Sequence, residues 1–94
     1  MAVPSELDGA RVVRYAAVTS EVEPTGATRH VVGGVETGPA AALAIARYAS
    51  ENGVYLFYLD DAGNVVTDTF HDSLEVALDQ AAFEYRGLAW IEPG

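Results

Sequence analysis

Asp68, His71 and Asp72 lie within five residues of one another, a grouping from which acid–base or metal-assisted chemistry could be built. Such a site, in a small hydrolase or metal-dependent enzyme, requires the three side chains to converge at one strand–helix junction. On a strand, Asp68 shares its face with Phe70, which leaves His71 at the junction itself. The other histidine, His30, is far along the chain, and the sequence has no cysteine. It also has no G-x-S-x-G elbow and no phosphate-binding glycine loop. The structural reading is therefore preferred: Asp72 or Ser73 caps a helix, and His71 hydrogen-bonds near that helix's N-terminus. A protonated His71 would face the positive end of the helix there, so the neighbouring acids are needed to hold it. No catalytic residue, no metal site and no cofactor is assigned.

A second oxygen-rich stretch, Asp60-Asp61-Ala62-Gly63-Asn64, has the composition of a calcium loop but not its spacing. A loop of the EF-hand type needs ligands at alternate positions and a glutamate at the twelfth. Counted from Asp60, the third position is Ala62 and the twelfth is His71. A hairpin turn with Gly63 at positive φ accounts for the stretch.

The acidic residues point to binding rather than catalysis. The 94 residues include 14 acids and five basic residues, all arginine, for a formal net charge of -9. Residues 1–47 hold five acids and four arginines, whereas residues 48–94 hold nine acids and Arg86 alone. Eight of the nine aromatic residues also follow position 47, Tyr15 being the exception. Such a chain is not expected to bind nucleic acid, because a phosphate-backbone binder needs clustered Lys or Arg to release counterions. Plain solubility accounts for such a charge equally well; the functional reading is an acidic face offered to a basic protein partner. That face comprises Asp68, Asp72, Glu75, Asp79 and Glu84, with Tyr58 and Trp90 as aromatic anchors. Ordinary core packing is the alternative account of the aromatics. A homodimeric structural or small-molecule-binding module that uses them is a third reading.

Positioning these residues requires a set of elements. Residues 1–9 are polar and aperiodic and read as a loose leader. Residues 10–19 read as a strand, with Val12, Arg14, Ala16 and Val18 on one face and Val13, Tyr15 and Ala17 on the other. Residues 20–27 form a loop that turns at Pro24-Thr25-Gly26, and residues 28–32 a short strand stopped by Gly33-Gly34. Residues 40–49 fit either a helix begun at Pro39 or a strand. The alternation of Leu43, Ile45 and Arg47 against Ala44, Ala46 and Tyr48, and the Glu51-Asn52-Gly53 turn beyond it, favour the strand. Residues 54–59, VYLFYL, are too short for a helix and apolar on both faces, which predicts a central strand. Residues 65–70 return beside it.

A helix over residues 74–86 follows, with a capping-box start at Asp72 and Glu75 or a cap at Ser73. Its apolar stripe is Leu74, Ala77, Leu78, Ala81, Ala82 and Tyr85, opposite Glu75, Asp79, Gln80 and Glu84, and Gly87 stops it. The expected fold is α+β: an antiparallel sheet of four or five strands with this one helix on one face, in a single domain spanning 1–94. No run approaches about 18 apolar residues, and the N-terminus has no basic segment leading into an apolar one. Neither a membrane span nor a signal peptide is expected, and the expected location is the cytoplasm.

The run Y-L-F-Y-L-D-D-A-G-N at 55–64, D-T-F-H-D-S-L-E-V-A-L-D-Q-A-A-F-E-Y at 68–85 and Trp90 resembles a small bacterial family of single-domain proteins with no established activity. P-T-G-A-T-R-H at 24–30 extends the likeness. The resemblance brings no catalytic residue with it. It implies a place among small acidic proteins of the kind encoded beside toxin genes as immunity partners. Ser73-Leu74-Glu75-Val76-Ala77 is also similar to the S-L-E-x-A helix start of HicB-type antitoxins, which place two or three strands before it. The separate DNA-binding tail usual in those proteins is not recognisable, so autoregulation of transcription is not implied. Together the residues and the resemblance lead to one expectation, a non-enzymatic protein that occludes a basic partner.

Overall fold

The computed structural model describes residues 3–26, 31–32, 34–36 and 38–93. In chain order its elements begin with β1 (Glu6–Leu7), β2 (Ala10–Ala17), β3 (Glu23–Pro24), β4 (Val31–Val32) and β5 (Val35–Glu36). They continue with β6 (Ala42–Arg47), β7 (Val54–Leu59), β8 (Val65–His71), α1 (Leu74–Glu84) and β9 (Tyr85–Arg86). The architecture is α+β, with one helix on an antiparallel five-stranded sheet ordered β1-β2-β6-β7-β8. Two short ribbons, β3 with β9 and β4 with β5, stand outside that sheet.

The doubly apolar run is central, as its composition demands. Val54, Leu56, Phe57, Tyr58 and Leu59 of β7 are all buried, with β6 on one side and β8 on the other. Both flanking connections are hairpins. The β7–β8 turn is closed by Asp60, whose carboxylate accepts from the backbone N–H groups of Ala62 at 3.0 Å and Asn64 at 2.8 Å. Gly63 supplies the positive φ of that turn, at 84°. The oxygen-rich stretch is therefore a hairpin connection built around one side chain.

Residues 40–49 resolve as a strand, and the reason lies in their alternation. Leu43 and Ile45 of β6 join one core cluster, whereas Ala42, Ala44 and Ala46 join another. The first cluster lies under α1, where Ala77 and Ala81 are fully buried against the sheet together with Val54, Leu56 and Tyr58. Alanines on the inner side of the helix allow close approach to the strands. The second cluster fills the other face with Ala10, Val12, Tyr15, Phe57 and Leu59. The sheet curls. Three small alanines in the middle of this face leave room for the curl and for the rings that flank them.

The structure departs from the sequence reading at four places. Glu6–Leu7, expected in a loose leader, pairs with β2 through a turn at Asp8 and Gly9, both at positive φ. In β2 the register shifts between Val12 and Arg14, so a bulge at Val13 puts Val12 and Tyr15 into the same cluster instead of on opposite faces. The helix ends at Glu84, not 86, because Tyr85–Arg86 leaves it to pair with Glu23–Pro24. On the apolar stripe Ala82 is exposed and Glu84 is buried in its place. Of the expected strand at 28–32, Val31–Val32 is β4, and the remainder lies outside the described residues, as does His30.

Candidate functional site

The acidic set is built around the start of α1. Ser73 is its N-cap, with extended backbone and a side chain that accepts from the Val76 N–H at 3.3 Å. The cap is thus Ser73 rather than Asp72, which frees Asp72 to project into solvent. Asp72, Glu75 and Asp79 are all exposed, and Glu75 stands in the first turn, where the helix dipole favours an anion. Val76 and Phe83 are seven residues apart and leave the helix along nearly one line, beside Asp79. They are 48% and 59% exposed. An outward helical surface of acids around two apolar side chains results.

Glu84 and Tyr58, expected on that surface, belong to the interior. Glu84 is 4% exposed and Tyr58 3%. The Tyr58 hydroxyl donates to Glu84 Oε2 at 2.5 Å, and Gln80 Nε2 donates to the same oxygen at 2.8 Å. Elementary donor accounting extends this pair into a chain. A tyrosine hydroxyl has one proton, and Tyr58 spends it on Glu84. The Thr69 hydroxyl, which also bonds Tyr58, must then donate to it. The Thr69 hydroxyl also hydrogen-bonds His71 Nε2, at 2.7 Å. Burial first, then the Glu84 hydrogen bond and charge, push the Tyr58 hydroxyl well above the ordinary tyrosine range, while Thr69 opposes them. Tyr85 is also pushed up, mainly by burial, against the Ala40 N–H that its oxygen accepts at 2.8 Å.

The structure does not gather Asp68, His71 and Asp72 into one pocket. Opposed residues on β7 and β8 share a face, so Asp68 and Phe70 lie with Phe57 and Tyr55, on the side away from α1. His71 lies opposite Val54, on the helix side, engaged with Thr69. Among the described residues no group of three or more His, Cys, Asp or Glu could hold a metal ion. Trp90, the other expected anchor, is half-buried against the cluster under α1.

The exposed aromatics are instead Phe70 and Phe83. Phe70 continues a set of ring contacts on the far face of the sheet. Its ring meets Tyr55 edge-on with centroids 5.1 Å apart, and Tyr55 stacks on Phe57 at 6.1 Å. Their signals were present in the sequence: Phe70 alternates with Asp68, and Phe83 falls off the apolar stripe.

A pocket of about 220 Å³ opens between Pro39, Tyr58, Val66 and Tyr85. Ligand sites usually run to about 300–1,000 Å³. The carboxylate at its rim, Asp60, is already engaged by its own turn. Among the described residues no helix is long and apolar enough to cross a membrane. Compared with protein-family models, curated proteins and solved structures, the chain matches none.

Proposed function

We propose that this chain is a non-enzymatic acidic binding protein that occludes a basic protein partner in the cytoplasm, in the manner of an immunity or antitoxin-like protein. One observation carries the reading. The outward side of α1 presents Glu75 and Asp79 beside exposed Val76 and Phe83, with exposed Asp72 just before its N-cap. No lysine or arginine occurs between residues 48 and 85 to neutralise it. Uncompensated charge of one sign accelerates encounter with an opposite surface and fixes its orientation. Apolar side chains that become fully covered then set how long the complex lasts. Residues from a single rigid helix supply both functions, so little ordering is needed on binding.

The test is association with the product of the adjacent gene, measured at low and high salt. The reading expects binding that weakens as salt rises and that Glu75→Lys with Asp79→Lys removes. Binding indifferent to both, or no association at either salt concentration, would sink it.

A further inference from the structure

We infer that the outer edge of β8 is a docking site for an extended basic segment of a protein partner, which adds to the sheet as a further strand. The inference rests on the acidic-binder reading and names the mode of binding and the form of the segment. β8 is the last strand of the order, and among the described residues its one strand neighbour is β7. At seven residues it is longer than either β6 or β7. A strand of that length at a sheet edge presents a row of backbone donors and acceptors that another chain can pair.

Proteins ordinarily blunt such an edge with lysine, proline, a very short strand or a bulge. β8 contains neither lysine nor proline. Its register shift lies at the start, opposite Tyr58 and Leu59, which leaves Asp68 to His71 in regular pairing with Val54 to Phe57. The face away from α1 carries Asp68 and Phe70 side by side, with Phe70 about half exposed. Strand addition provides main-chain hydrogen bonds, and side chains at alternate positions provide selectivity. A segment with arginine or lysine set against Asp68 and an apolar residue against Phe70 matches this pattern.

Charge decides between a partner and a second copy. Two β8 strands in full antiparallel overlap would place Asp68 directly opposite Asp68, a destabilising arrangement. They would also bring Asp60 and Asp61, before β8, toward Asp72 and Glu75 after it at both ends. A basic strand converts each of these repulsions into an attraction. The one charge on the edge strand therefore selects its occupant.

The test is amide hydrogen exchange by NMR on the full chain, with three probe peptides. The first matches β8 in length and carries an arginine and a valine two residues apart, so that one face sets the arginine against Asp68 and the valine against Phe70. The second is helical with the same charge, and the third replaces arginine with glutamate. The inference expects alternate amides within 65–71 to slow with the first peptide only. Asp68→Lys should weaken that peptide about tenfold. Val66→Lys, at a partly exposed site, is a second variant that does not depend on Asp68 and should also weaken it.

Equal binding of the extended and helical peptides, without protection in β8, overturns strand addition. If Glu75→Lys with Asp79→Lys alone abolishes that binding, the acidic-binder reading survives. Protection of β8 that grows with protein concentration in the free chain would assign the edge to a second copy and also overturn the inference. Failure of the adjacent-gene product to bind, with the first peptide still protecting β8, would remove the occlusion reading and leave the edge as a site.

Discussion

Along β2 the sheet edge is occupied over much of its length, whereas along β8 it is open among the described residues. Glu6 and Leu7 pair with Arg11 and Ala10, and Ile91 exchanges two backbone hydrogen bonds with Tyr15, at 2.9 and 2.8 Å. Both terminal segments thus converge on one edge, and the Arg14–Glu92 ion pair lies beside their meeting point. Among the described residues β8 has no such strand cover, and the charges on it and flanking it in sequence are negative: Asp60, Asp61, Asp68, Asp72 and Glu75. An edge closed by the chain's own backbone needs no solubilising device. An open edge needs one, and here like-charge repulsion between copies provides it. The comparison therefore separates an edge closed by the chain's own backbone from one without a second strand neighbour among the described residues.

The largest effect should come from the point where β8 is anchored to β7. A Cβ at Gly53 would come within 2.6 Å of the His71 carbonyl oxygen and strike the Phe70 ring. The half-exposed ring can move, but the carbonyl belongs to backbone that faces Val54 across the ladder. Gly53→Ala should cost about 1–3 kcal/mol in urea unfolding. Amide protection should fall first at the end of β8 while Tyr15 and Ile91 keep theirs. Equal loss at both edges would show that they are not separable units.

A smaller effect follows from the tyrosine hydroxyls in the interior. Tyr58 and Tyr85 are both raised above the ordinary tyrosine value of 10.0, chiefly by burial. Below that value the folded and unfolded chains both hold these protons, and the stabilisation is fully present. As pH rises beyond it, the unfolded chain releases protons that the folded chain keeps, so stability is lost toward the folded values. The urea midpoint should therefore fall steadily above about pH 10. Tyrosinate absorbance for these two residues should appear only with unfolding. A midpoint unchanged up to pH 12 would mean that the hydroxyls are not held as the geometry implies.

The open edge was far more legible in the sequence than the closed one. VYLFYL announced a central strand, the turn at Asp60–Asn64 announced the return strand, and alternation placed Asp68 with Phe70. All of these are local signals. The closed edge depends on Glu6, Leu7 and Ile91 meeting β2 across long stretches of chain, for which no periodicity exists to read. The bulge at Val13 was hidden for a related reason: one extra residue in a strand leaves composition unchanged while reversing the faces that follow.

Glu84 was misread because its helical position looked polar. Burial became tolerable only through Tyr58 and Gln80, and the Tyr58 contact spans 26 residues. Tyr58 and Trp90 looked like anchors by residue type, yet their places in the core are set by the sheet and the returning tail. The acids at 72, 75 and 79 were legible because a helix start and its outer side can be counted from the cap.

The smallest effect tests what holds the closed edge. Arg14 Nη2 lies 3.1 Å from Glu92 Oε1, and Arg14 Nη1 also donates to the Val13 carbonyl at 2.8 Å. The Glu92 side chain is 73% exposed, so water and salt screen most of the attraction. A double-mutant cycle of Arg14→Ala and Glu92→Ala should give a coupling of about 0.2–1 kcal/mol, reduced further in high salt. Exchange at Tyr15 and Ile91 should barely change, because their closure is a reciprocal pair of backbone hydrogen bonds. A coupling well beyond that range, with Tyr15 opening in both single variants, would mean that charge closes this edge as well. The contrast with β8 would then be one of charge sign alone: an edge held by an opposite-charge pair within the chain, and an edge flanked in sequence by acids only.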